Sequence, residues 1–236
     1  MSSVAAAPYP LHVKNLADNV EDVLNLVRIH VKVGGSGAGR KHKVEVLNRS
    51  GIVLVVACWE AFVEDLASQA FVAILADAAD PGVFPKRVLV GAAKSLRDDK
   101  DESKVWNLAG SGWRRVLENY RDQLFAEHIG RLNTPRPERV DQMFEKLIGF
   151  KRLSTQWQWK GMPNDRALEN LEALITLRGE ISHRVTAGSP VYKKNVEAAT
   201  ELVVRLAVIA SNRVGTFVQT RIGKPPWSEV SLGGVR

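Results

Sequence analysis

The chain has 236 residues, of which 45% are hydrophobic and 25% charged, with a formal net charge of +7 and a single cysteine. These values exclude an internal disulfide framework and a chain too polar to build a core, and they predict one helical domain over 1–236 rather than two. The positive balance suits an anionic partner without identifying one.

The first ten residues, MSSVAAAPYP, lack the basic and long apolar regions of a secretory signal. The longest apolar run, Ile52 to Trp59, falls well short of the ~20 residues that span a bilayer. No membrane partner and a cytoplasmic location are expected. Cys58 lies inside that run and reads as a small buried hydrophobe.

Helical periodicity dominates, and no stretch alternates as a strand. Leu11 to Val33 forms a first amphipathic helix with Leu16, Val20, Val23, Leu24, Val27 and Val31 inward. The glycine-rich 34–40 segment ends it and is expected to be flexible, as are residues 1–10 and the tail 223–236. Lys41 to Ala78 reads as a long helix, apolar almost all round in its middle, and therefore as the buried centre of a bundle. Pro85 to Arg97 and Gly112 to His128 are further helices, separated by the charged run from Arg97 to Glu102. Pro137 suits the first turn of a helix that stops near Gly149. A basic and aromatic loop follows, from Phe150 to Gly161. Asn164 or Asp165 caps the next helix, which runs to about Val185. Gly188-Ser189-Pro190 predicts a stop, an N-cap and a proline-led last helix reaching about Thr220.

Charge is unevenly spread. Between Arg131 and Lys194 there are 12 Lys and Arg against 7 Asp and Glu. The five histidines are scattered without the spacing of a metal site, so no metal and no cofactor are expected. Within the basic stretch, Leu177-Arg178-Gly179-Glu180-Ile181-Ser182-His183-Arg184 places an arginine and a histidine five positions apart near a helix C-terminus. The structural alternative makes Arg178 an ion-pair partner of Glu60 or Glu180 and His183 a helix cap.

Three blocks resemble the HEPN superfamily, and specifically its RiboL-PSP-HEPN-like branch. They are Ala57 to Leu66 in the long second helix, Asn133 to Gly149 with Met143-Phe144, and Leu177-Arg178 through His183-Arg184 ahead of a final long helix. The resemblance spans about residues 45–215. It implies an all-α HEPN-like bundle that forms a homodimer, with paired motifs in one cleft acting as a metal-independent endoribonuclease, a toxin or phage-defence effector. It makes Arg178 and His183 the catalytic pair, and it allows an antitoxin or regulatory protein as partner. Many active members carry a polar residue after the arginine, whereas here Gly179 stands there. The competing expectation is a silent HEPN module that binds RNA, a nucleotide or a partner protein.

The implied chemistry suits these side chains. An RNA 2′-hydroxyl attacking the adjacent phosphate needs a base, an acid and a cation for the developing phosphorane charge. Histidine, with an unperturbed pKa of ~6.5, serves as acid or base, and a two-fold dimer supplies two. Arginine grips phosphate through its planar fork. Arg184, Lys193, Lys194, Lys160, Arg152 and Lys151 are candidate phosphate contacts around the cleft. Trp157 and Trp159 are candidates for stacking on unpaired bases, or else for pinning their loop to the bundle.

Overall fold

The computed structural model describes residues 9–34, 44–129, 132, 134–184 and 189–235. Eight α-helices are found there: α1 (Leu11–Gly34), α2 (Glu45–Asp77), α3 (Lys86–Ala92), α4 (Lys94–Arg97), α5 (Gly112–His128), α6 (Pro137–Ile148), α7 (Asn164–Arg184) and α8 (Lys193–Ile222). No β-strand occurs among the described residues; Trp159 and Met162 form an isolated bridge.

At 33 residues, α2 is the axis of the bundle. It packs against α1, α5, α6, α7 and α8. By length and composition it is apolar enough to cross a membrane, but Trp59, Phe62, Leu66, Ala70, Phe71 and Ile74 are all buried in the core. Gly51 lets α8 approach closely, since a Cβ there would stand 2.8 Å from Val196 Cγ1. The C-terminus of α2 is closed by Arg114, whose guanidinium donates to the carbonyls of Leu75 and Ala78, a favourable place for a cation.

The inward stripe of α1 is Val13, Leu16, Val20 and Val23. Val31, expected on that stripe, is exposed together with Ile29 and Val33, because the end of α1 extends beyond the elements that cover its first half. His12 lies at the start of the stripe and is fully buried. Its Nδ1 is 2.9 Å from Gln69 Oε1 and its Nε2 is 2.8 Å from Ser211 Oγ, so Nδ1–H donates to the amide oxygen and Nε2 accepts from the hydroxyl. Phe62 and Trp227 meet the ring edge-on. Burial lowers the His12 pKa to about 4, against the opposing pull of Gln69 and Asp65.

Three expectations are corrected. Pro85 to Arg97 is two short helices, because the backbone tightens at Ala93 between α3 and α4. The last helix begins at Lys193, not Pro190; Tyr192 is its N-cap, and the Tyr192 N–H donates to Asn195 Oδ1 at 2.9 Å. The described part of the tail is packed rather than flexible. Trp227, Val230 and Val235 are buried, and Asn212 holds Val230 through both its backbone N–H and its carbonyl at 2.9 Å. Residues 1–8 and 35–40, expected to be flexible, and 41–43, expected to begin the second helix, lie outside the described residues.

The loop before α7 is held by an organised network. Gly149, with φ 82°, ends α6 in the left-handed region that glycine tolerates. Asp141 accepts from the N–H and hydroxyl of Ser154, both at 2.7 Å. Asn164 returns its amide N–H to the carbonyls of Ser154 (2.7 Å) and Trp157 (3.1 Å). Trp157 is wholly buried, edge-on to Trp59, whose own indole N–H donates to Pro135 O at 3.0 Å.

Candidate functional site on α7

Leucine and isoleucine at 171, 174, 175 and 181 form the buried stripe of α7, and Arg178 falls on it. An arginine on a core-facing seam needs a local reason, because a buried donor without an acceptor is unfavourable. Its neighbour across the seam is Glu60 of α2, whose carboxyl is pushed upward by burial and pulled down by the Arg178 charge. Yet Arg178 Nε, a buried atom, meets no hydrogen-bond partner among the described residues. Of the two proposed partners, Glu60 feels the Arg178 charge, but neither it nor the exposed Glu180 makes an ion pair with Arg178 among the described residues.

One turn along α2 from Glu60, burial and the charges of Glu60 and Asp65 push Glu64 up to about 7. Asp65 is held by Asn15 Nδ2 at 2.7 Å. Behind Arg178 there is thus a half-buried acidic strip, of which Glu60 feels the guanidinium charge. On the opposite flank, Arg136 pairs with Glu172 and donates to Thr176 Oγ1 at 3.4 Å, fixing α7 to the start of α6.

His183 lies in the last turn of α7 and is exposed. Five helical positions correspond to a rotation of about 140°, so Arg178 turns toward α2 while His183 turns to solvent. The backbone between them is open at Gly179, where an added Cβ would meet no atom within 4 Å.

Leu177 of α7 and Asn195 of α8 line one groove, so the start of α8 runs alongside the motif end of α7. Lys193 and Lys194 occupy that first turn; Lys193 pairs with Glu197 at 3.1 Å, and Lys194 stands 5.8 Å from the Tyr192 ring centre. Arg184 is the last residue of α7, and its side chain is outside the described set. Lys151, Arg152 and Lys160 do not join this rim. They precede α7, and Arg178 lies 14 residues into that helix, about 21 Å from its start. Trp157 is likewise withdrawn from base stacking, since its ring is part of the core. Trp159 is half-buried at the groove's other end, with the Arg205 guanidinium 5.7 Å from its ring centre.

His12 was not singled out from sequence; only its place beside the inward stripe of α1 marks it. The glutamate strip had a fainter signal, the charges interrupting an apolar helix at Glu60, Glu64 and Asp65. Cys58 is buried, and that burial raises its thiol to about 11, which makes it inert.

Fold and site together define an α-helical bundle with an arginine–histidine motif closing one helix against an acidic central one. The RiboL-PSP-HEPN family model matches residues 14–212, and the chain belongs to that family of the HEPN superfamily. Membership suggests a ribonuclease or a nucleotide-binding module. No curated protein and no solved structure matches the chain.

Proposed function

We propose that this protein is a metal-independent endoribonuclease that works as a homodimer in the cytoplasm, as a toxin or phage-defence effector. The observation that carries this reading is Arg178: a half-buried guanidinium beside the carboxyl of Glu60, whose Nε has no hydrogen-bond partner among the described residues. Such a group is ready for an anion. It binds the scissile phosphate and offsets the charge that develops on it. His183 moves the protons. Because one chain directs its arginine and histidine about 140° apart, a second copy supplies the complementary pair. The exposed Ile29, Val31 and Val33 at the end of α1 support association with a second copy or with an antitoxin. Arg184, Lys193 and Lys194 contribute phosphate contacts on the motif side.

The test is incubation of the purified protein with single-stranded RNA and tRNA in excess EDTA, beside His183→Ala. Wild type is expected to leave 2′,3′-cyclic phosphate and 5′-hydroxyl ends, and His183→Ala to leave RNA intact. Cleavage by His183→Ala at the wild-type rate would remove this histidine from the mechanism.

A second reading is favoured by Gly179, the open position beside Arg178. A silent module would bind RNA, a nucleotide or a partner protein through the same surface without cutting. Saturable, salt-sensitive binding with intact RNA identifies it.

A further inference from the structure

Between α7 and α8 runs a groove of about 460 Å³, within the range of small-ligand sites. Its floor is apolar, from Ile52, Leu174, Leu177 and Leu202. One end begins at Leu177, the residue before Arg178. The other is walled by Trp159, Asn170 and Arg205. Arg205 Nε donates to Glu201 Oε1 at 2.6 Å, which sets an ion pair at the rim. Asn170 presents an amide whose N–H reaches, among the described residues, the sulfur of Met162 at 3.6 Å.

We propose that this groove is a nucleobase subsite, in which an unpaired base of the RNA lies on the apolar floor against Trp159 and beside the Arg205 guanidinium. The inference rests on the ribonuclease reading for what the strand does next, but not for the binding itself. The lining argues for it. The Arg205 guanidinium lies over the Trp159 ring, 5.7 Å from its centre, and the two side chains close this end of an apolar floor on which a flat base can lie. Asn170, carrying both a donor and an acceptor, and the Glu201 carboxylate stand where the edge of the base arrives. Cations are placed for the strand's phosphates at both ends: Lys193, Lys194 and Arg178 by the motif, and Arg205 itself by Trp159. The groove therefore selects a base on the strand that reaches Arg178, but not the nucleotide at the gripped phosphate, because Asn170 and Arg178 stand eight helical positions, about 12 Å, apart.

The test uses the full-length protein with short 2′-O-methyl oligonucleotides of each base, labelled for fluorescence anisotropy. Their blocked 2′-hydroxyl prevents cleavage, so binding is read separately from chemistry. Two variants are compared with wild type: Trp159→Ala, and Ala173→Phe, which fills the groove from an exposed position of α7. Wild type is expected to prefer one base, and both variants to bind about 5- to 100-fold more weakly with the preference flattened, as loss of one base–aromatic stack implies. Size-exclusion chromatography and circular dichroism check the fold, and Ala173→Phe carries the test if Trp159→Ala disturbs the loop. Wild-type affinity and base preference in Ala173→Phe would overturn the subsite. So would a change in oligomeric mass with unchanged RNA binding, which would give the groove to a second copy of the chain. A nucleoside monophosphate competing as well as the oligonucleotide would overturn the assignment to RNA. Groove-dependent binding beside RNA left intact in EDTA would sink the ribonuclease reading and leave the subsite standing.

Discussion

Gly179 offers a sharp test of how far α7 can be understood from one chain alone. It lies 15 residues into a helix of 21, where glycine is disfavoured by about 0.5–1 kcal/mol relative to alanine through backbone entropy. A Cβ at this position would meet nothing within 4 Å, so Gly179→Ala introduces neither a clash nor a filled cavity. The expected change is therefore the helix-propensity difference, a stabilisation of about 0.5–1 kcal/mol. For a chain of this size that raises Tm by roughly 1–4 °C. A thermal melt by circular dichroism measures it directly. An unchanged or lower Tm would refute the reasoning, because it would mean that the backbone at this point is not an ordinary open helix interior. RNA assays on the same variant add information. A higher Tm combined with weaker binding or cutting would mean that the empty space over Gly179 is occupied in the working complex by RNA or by a second protomer.

Other expectations follow from the site and the core. Arg178→Met should lower stability by leaving Glu60 half-buried without its cation, and a second change, Glu60→Gln, should recover most of the loss; additive effects in urea melts would show that the two side chains do not interact. Glu64 has a folded pKa of about 7 against the model-compound 4.5, so the folded chain holds a proton that the unfolded chain releases. Its contribution is complete below about 4.5 and is lost as pH rises through 7; Glu64→Gln should flatten that fall, and an unchanged stability–pH curve would contradict it. His12 has the opposite sign. Its folded pKa of about 4 lies below 6.5, so stability is lost as pH falls from 6.5 through 4, and His12→Phe should lessen the acid loss. That variant should nonetheless be less stable at pH 7 by about 1–3 kcal/mol, because Gln69 and Ser211 lose their buried partner; a neutral-pH stability equal to wild type would be the contrary result.

Much of the architecture is legible along the chain because it depends on local chemistry. The 3.6-residue stripe of Leu171, Leu174 and Ile175 specifies a helix with an inward face, and glycine at 149 and proline at 137 mark helix ends through backbone conformations that few other residues favour. The apolar middle of α2 identifies it as the central helix, and the three family blocks mark the motif on α7. Tertiary structure decided whatever depends on contacts between distant segments. Trp157 and Trp159 are near neighbours in the same loop and both pack on the core, yet one is sealed against Trp59 while the other, at the core's edge, borders a groove. Lys160 and Lys194 are equivalent as charges, but α7 separates the first from the motif by its own length. His12 became a neutral core residue because folding buried it, with Ser211 and Gln69 brought to its two nitrogens as partners. Arg178 illustrates both levels. The helical period places it on the buried seam, but only the packing of α7 against α2 sets Glu60 beside it and leaves Nε without a partner among the described residues, since burial and charge interactions arise from segments that meet only when the chain is folded.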